Sequence, residues 1–221
     1  MEPDLVPVIM CTFRRLGRLP ATLAMLGAQS TPVQVLIWDN SRSPGAVAKA
    51  AADAHIPAAV HHSPRNVGGF GRFYLARAAA EQGHQAVIFI DDDQDFGPEA
   101  IGDLIGRHRA RSLSGWFAFR NLRTGDRVPC APGSAADYVG TGGMICDTAV
   151  FSDPRLYRLP RRFWFIEDIW LCAVARHLAG YAVYASPARF ALAPDGRDQC
   201  RSLGWAKKRL RRWLGRRGLG R

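Results

Sequence analysis

Three short apolar runs, each ending in polar residues, constrain this chain most: "VPVIMCTF" (6–13), "VQVLIWDN" (33–40) and "AVIFIDDD" (86–93). Each is too short for a helix of ordinary length and reads as a strand buried on both faces. Helical patterns separate them, at about 18–29, at 44–55 ("PGAVAKAAADAH") and at 68–83 ("GGFGRFYLARAAAEQG"), with a weaker strand at "AAVHHS" (58–63). Strands alternating with helices after short breaks predict an α/β fold with a mostly parallel central sheet flanked by helices. Ligands bind such open sheets beyond the carboxyl ends of the strands. The polar clusters "CTFRR", "DNS", "SPRNVGG" and "DDD" all fall there.

After Asp95 the pattern changes to a helix at about 98–111, "GWFAFRNL", a turn at "TGDR", "YVGTGGMICD" and a helix beginning near Glu167, which predicts a mixed sheet in the second half. The expected organisation is one domain over residues 1–198, with a nucleotide-binding half at 1–96 and an acceptor and catalytic half at 97–198, followed by a basic tail at 199–221. Of the 30 basic residues, nine lie between Arg201 and Arg221, which holds no acidic residue. The remaining 21 nearly balance the 19 acidic ones, so nine of the eleven net positive charges belong to the tail. A nucleic-acid binder is therefore a weak reading, although the tail keeps it open. The five cysteines include no CxxC pair and point to neither a disulfide framework nor a zinc site. No run approaches membrane-span length, so the expected location is the cytosol.

Asp91 and Asp93 are expected on one side of an alternating strand end, where they could share a divalent cation; hard oxygen ligands suit Mg²⁺ or Mn²⁺. The alternative is a solvated turn capping the next helix. Asp39 and Asn40 could accept hydrogen bonds from a base or a ribose, or simply form a turn. In "PRNVGGFGR" (64–72), Asn66, Gly68 and Gly69 precede a helix whose free N–H groups favour phosphate, and Arg72 could add charge, although an exposed arginine is the plainer expectation. This is neither a dinucleotide fingerprint nor a P-loop. Glu167 and Asp168 open a helix, where they either favour its N-terminus or supply a general base. Trp164 and Phe165 before them could stack on a sugar ring or fill the core. Gly142 and Gly143 allow close approach of a ligand, or form a bulge. In the tail, Leu203, Ala206, Leu210, Trp213 and Leu214 share one helical face, which with the surrounding Lys and Arg suits an anionic membrane surface.

In the order "VIMCTFRR", "IWDNS", "NVGG", "FIDDDQDF", "GTGGM" and "FIEDIWLCAVARHLAGY", the chain resembles the family 2 glycosyltransferases over roughly residues 6–186. The resemblance implies a GT-A fold and transfer, with inversion, from a nucleotide-sugar donor, UDP first and dTDP next, to a saccharide or lipid-linked acceptor. Thr12 and Arg14 would then lie near the nucleotide, Asp39 would read the base, Asp92 would sit on the nucleotide side, and Asp91 and Asp93 would bind the metal. Asp168 would be the base. The metal-site histidine of many relatives is missing from "ASPARFALAPDGRDQC", where Asp195 or Asp198 are possible substitutes. A sugar-phosphate nucleotidyltransferase is the enzyme alternative, but no Gly-rich loop bearing Lys or Arg follows the first strand in the expected form.

Overall fold

The computed structural model describes residues 5–122, 126–193 and 203–219. In chain order the strands are β1 (Val6–Thr12), β2 (Val33–Asp39), β3 (Ala58–His62), β4 (Ala86–Asp91), β5 (Gln94–Phe96), β6 (Ser112–Gly115), β7 (Ala118–Asn121), β8 (Arg127–Pro129), β9 (Tyr138–Val139), β10 (Met144–Asp147), β11 (Ala182–Ala185) and β12 (Phe190–Leu192). The helices are α1 (Leu19–Gly27), α2 (Pro44–Asp53), α3 (Gly71–Glu81), α4 (Ala100–Ile105), α5 (Glu167–His177) and α6 (Gly204–Gly215).

Seven strands form the central sheet in the order β11-β6-β10-β4-β1-β2-β3, and only β10 runs antiparallel to its neighbours. β1 pairs on one side with β2 and on the other with β4, so the strand order reverses at β1, and the crevice at the carboxyl ends of β1 and β4 is where an open sheet takes a ligand. Side chains alternate across the sheet. Val8, Met10, Ile88 and Ile90 pack with Leu19, Leu23, Val47 and Ile101 of α1, α2 and α4, whereas Ile9, Val87 and Phe89 pack with Phe73, Leu171 and Val174 of α3 and α5. Both faces are covered, which is why these strands lack polar alternation. β5 pairs with β12, and β7 lies between β8 and β9 in a small antiparallel sheet.

Three expectations change. The helix foreseen over 98–111 is only Ala100–Ile105, because Gly106 ends it and Arg111 sits at φ 53° beside the buried Leu113 strand. β4 ends at Asp91, and the chain turns at Asp92–Asp93 rather than continuing the alternation. The tail helix is not a separate appendage, since Ala206, Leu210 and Leu214 are buried in the core cluster and Trp213 lies against Trp170 and Phe163, with ring centroids 5.6 and 6.3 Å away. Ala206, Leu210 and Leu214 are therefore taken up by the fold, while Trp205 on the same helix stays 60% exposed. Among the described residues no helix is long and apolar enough to cross one.

Candidate active site

The aspartate run is built around two arginines. Thr12, at the end of β1, donates through Oγ1 to Asp92 Oδ2 (3.0 Å), and Arg15 Nη1 reaches Asp92 Oδ1 (3.2 Å) and Asp93 Oδ2 (2.8 Å). Asp91 belongs to the other cation: Arg72 Nη2 donates to its Oδ1 at 2.9 Å. Asp91 thus has its own cation, and the pair that shares one is Asp92 with Asp93. Burial pushes Asp92 up to about 6 against the pull of Arg15, and burial together with Asp91 raises Asp93. Asp91 is the most accessible, with 38% of its side chain exposed against 12% for each of the other two. Its backbone N–H is fixed by Gln94 Oε1 at 3.0 Å.

Arg72 is buried rather than exposed, because α3 enters the core immediately after a 3₁₀ turn at Gly68–Phe70. Its Nε lies 3.5 Å from Glu167 Oε1, and its Nη1 is buried with no hydrogen-bond partner among the described residues. Burial disfavours its charge, but Asp91, Cys11 and Glu167 outweigh that and hold it above the ordinary arginine range. Glu167 is buried against Gly69, where a Cβ would come within 1.9 Å of Oε1, so only glycine leaves room for this carboxyl. Burial pushes Glu167 up to about 7, with Arg72 opposing and Asp168 adding to the rise.

Asp168 faces differently. Its Oδ2 accepts the hydroxyl of Tyr138, and its Oδ1 accepts its neighbour's N–H, Ile169 N, at 2.8 Å. Tyr138 is buried, and burial and Asp168 both hold its hydroxyl protonated well beyond the ordinary tyrosine range. A partly exposed carboxylate oriented by two donors thus stands at the start of α5, one residue beyond the buried carboxyl that serves Arg72.

These groups surround one cavity of about 520 Å³, a size suited to a small-molecule ligand. Of the residues singled out in the sequence, Thr12, Asn40, Asn66, Gly68, Gly69, Arg72, Asp91, Asp92, Asp93, Gly142, Phe165, Glu167 and Asp168 line it; Arg14, Asp39, Gly143 and Trp164 do not. Arg14 is exposed over the Phe13 ring at φ 62°, and the following residue, Arg15, is the one that turns inward. Asp39 is fully buried, accepting Ser41 N–H at 2.7 Å and facing His62 Nδ1 at 3.0 Å, and so is held behind the cavity wall rather than on it. Trp164 stacks on Phe70 at 4.8 Å and donates to Leu159 O, which makes it core; Phe165, 45% exposed, is the aromatic at the cavity.

The glycine-rich loop is closed on itself. Val67 N–H goes to Asn40 Oδ1 (2.9 Å) and Gly68 N–H to Asn66 Oδ1 (2.8 Å), so side chains already take the first donors expected to meet phosphate. Gly68, at φ +64°, lies under Phe165. Gly142 makes room for Asp91 Oδ2 and Gln94 Nε2, and Gly143 for Trp116 and Phe190, so both serve protein packing. The sequence reading missed Arg15, Gln94, Trp116, Phe117, Tyr138 and Lys207, all at the cavity. Only Arg15 had a signal, as the second arginine of "CTFRR"; the others come from two strands, the bend between β6 and β7 and a helix, whose convergence no local pattern shows.

Among the described residues no group of three or more His, Cys, Asp or Glu is placed to hold an ion. Asp195 and Asp198 lie outside the described residues.

The chain matches the family model "Glycosyl transferase family 2" over residues 8–171. No curated protein matches it significantly. Among solved structures it is similar to S. aureus TarS 1-349, at 19% identity and a TM-score of 0.57, over 86% of this chain and 60% of that one. It is similar to TarS 1-349 in complex with UDP-GlcNAc at 19% identity and a TM-score of 0.56, over 84% and 56%. S. aureus TarS itself matches at 19% identity and a TM-score of 0.56, over 86% of this chain and 36% of that one. The chain thus spans between 36% and 60% of these TarS chains, and the likeness shows a shared GT-A fold.

Proposed function

The chain belongs to glycosyl transferase family 2, and on that premise we propose that it transfers a sugar from a nucleotide-diphosphate sugar to a hydroxyl of a saccharide or lipid-linked acceptor, inverting the anomeric carbon. The observation that carries this reading is the convergence of Asp91, Arg72, Arg15 and Asp168 on one cavity at the β1–β4 switch point. S. aureus TarS in complex with UDP and with UDP-GlcNAc makes a uridine diphosphate sugar the first donor class to test, with dTDP next.

Asp168 is the proposed base. It takes the proton of the acceptor hydroxyl, whose oxygen attacks the anomeric carbon from the face opposite the diphosphate. Tyr138 and the Ile169 N–H fix the carboxylate for that task. Glu167 is instead a positioning residue, because it is buried against Gly69 and faces Arg72. Arg72, with a buried N–H that has no partner among the described residues, and Arg15 are the donors that would meet the diphosphate. Phe165 and Phe117, 45% and 41% exposed, offer apolar surface to the acceptor.

Two carboxylates at the cavity suit a Mg²⁺- or Mn²⁺-type ion, which takes one or two protein carboxylates and completes its shell with substrate phosphate and water. Asp91 and Asp93 would hold it, and it would supply charge stabilisation for the leaving diphosphate.

A thermal-shift panel of UDP, dTDP, GDP, CDP and their sugar conjugates, with and without Mn²⁺ or Mg²⁺, tests this reading. A ligand at 100 times its Kd adds about 2.7 kcal/mol, which is readily visible. One base should stand out. A folded protein that responds to none of them would refute the donor assignment.

A further inference from the structure

Tyr138 lines a second cavity as well, of about 740 Å³, walled by α5, the β7–β9 sheet and α6. Its surface has two characters. Leu122, Ile169, Ala173, Leu214 and Leu219 give it an apolar side, and Arg127, Arg176 and Arg211 bring three guanidinium groups to it. The acid at the wall, Asp137, is already committed: Arg176 Nη2 lies 2.8 Å from its Oδ1, and Asn121 N–H donates to Oδ2 at 2.8 Å.

That leaves Arg127 and Arg211. No salt bridge joins either to a carboxylate among the described residues, and the Nε of each is buried with no hydrogen-bond partner there. Arg127 lies over the Tyr138 ring, 4.1 Å from its centroid. Burial first and then the charge of Arg127 lower Arg211 from the ordinary arginine value, with Tyr138 and Asp168 opposing without reversing the direction. Buried N–H donors are normally satisfied, and two guanidinium groups that line one cavity, in no salt bridge among the described residues and each with a buried Nε lacking a partner there, form a site whose missing partner is an acceptor. The space is also far larger than an inorganic anion requires, and much of its wall is aliphatic.

We propose that this cavity binds a phosphate-bearing amphiphile, with the phosphate between Arg127 and Arg211 and an aliphatic chain along Leu122, Ile169, Leu214 and Leu219. The site is independent of the donor assignment and lies behind the residue that orients the base. Occupancy would press on Tyr138, whose hydroxyl Asp168 accepts. α6 would then owe its place in the fold to this wall: its apolar side closes the cavity and its Arg211 charges it.

The test uses the full chain and three probes by calorimetry: farnesyl phosphate below its micelle concentration, farnesol and inorganic phosphate. Farnesyl phosphate should bind, with farnesol and phosphate each at least tenfold weaker. R127Q and R211Q should remain folded, since neither arginine is in a salt bridge among the described residues, and should each lose tenfold or more in farnesyl phosphate affinity. R15Q, altered in the first cavity, should bind it like the wild type. Unchanged affinity in both R127Q and R211Q, or no binding to the wild type, overturns the site. Phosphate binding as tightly as farnesyl phosphate overturns the amphiphile and leaves an ordinary anion pocket.

Discussion

Replacing Glu167 with glutamine should make the protein more stable at alkaline pH and leave it unchanged in acid. The carboxyl is 4% exposed, packed against Gly69 and 3.5 Å from Arg72, and its pKa is pushed from 4.5 to about 7, chiefly by burial. A raised carboxyl favours the protonated folded state, so its contribution is fully present below about 4.5 and is lost as pH rises through about 7. The gap of roughly 2.5 pKa units, at about 1.4 kcal/mol each, makes ionised Glu167 cost about 3 kcal/mol in the folded state. Glutamine has the same shape and no ionisation. Urea unfolding of both proteins between pH 4.5 and 8.5 should give curves that coincide near pH 4.5 and diverge to about 3 kcal/mol in favour of Glu167→Gln above pH 8, with equal m-values. A difference that does not vary with pH, or a less stable variant at pH 8, would refute the placement of this carboxyl beside Gly69 and Arg72.

Asp168→Asn should keep nucleotide-sugar binding within a few-fold while lowering transfer by about 10²–10⁴, the usual worth of a general base; a normal rate would remove Asp168 from that role. Gly142→Ala puts a Cβ 2.5 Å from Gln94 Nε2 and 2.6 Å from Asp91 Oδ2, both side-chain atoms that can move. It should therefore weaken metal-supported donor binding with little loss of Tm, as read by calorimetry and thermal unfolding. Leu210→Ala, at a fully buried position of α6, should cost about 2–5 kcal/mol in urea unfolding. A cost near zero would return the tail helix to the role of a free appendage.

Much of the fold was legible because its determinants are local. The period of "VPVIMCTF" and "AVIFIDDD" marks strands buried on both faces, and each does pack one set of residues against α1, α2 and α4 and the other against α3 and α5. The location of the site followed from the polar ends of those strands. What resisted reading was orientation. Whether Arg14 or Arg15 turns inward depends on a left-handed backbone at Arg14, which the sequence does not announce for an arginine. Asp39 and Asn40 looked like ligand acceptors, yet their partners, Ser41, His62, Val67 and Gly68, are supplied by a loop and a neighbouring strand. The amphipathic tail was recognisable as a helix, but its apolar side suits a membrane or a protein core equally well. That Trp170 and Phe163, distant in sequence, receive Trp213 is visible only in the fold.

Charge at the first cavity leads to the last prediction. Five carboxylates line it, Asp91, Asp92, Asp93, Glu167 and Asp168, against three cationic side chains, Arg15, Arg72 and Lys207. A nucleotide sugar adds the negative charge of its diphosphate, so a complex of protein and donor alone gathers like charge in a confined space. Either a divalent cation enters with the donor or a carboxylate gives up its charge. Binding of UDP-GlcNAc should accordingly be much weaker in EDTA than with Mg²⁺ or Mn²⁺. Glu167→Gln, which removes the charge that Glu167 carries above about pH 7 and frees Arg72 from one partner, should recover part of the loss in EDTA at about pH 8 and matter less when metal is present. A nucleotide sugar is the better probe than free UDP, because its diphosphate has no terminal protonation near neutral pH. Equal affinity with and without the cation would mean that Arg15 and Arg72 carry the diphosphate by themselves, and that Asp91 and Asp93 serve to hold those arginines in place.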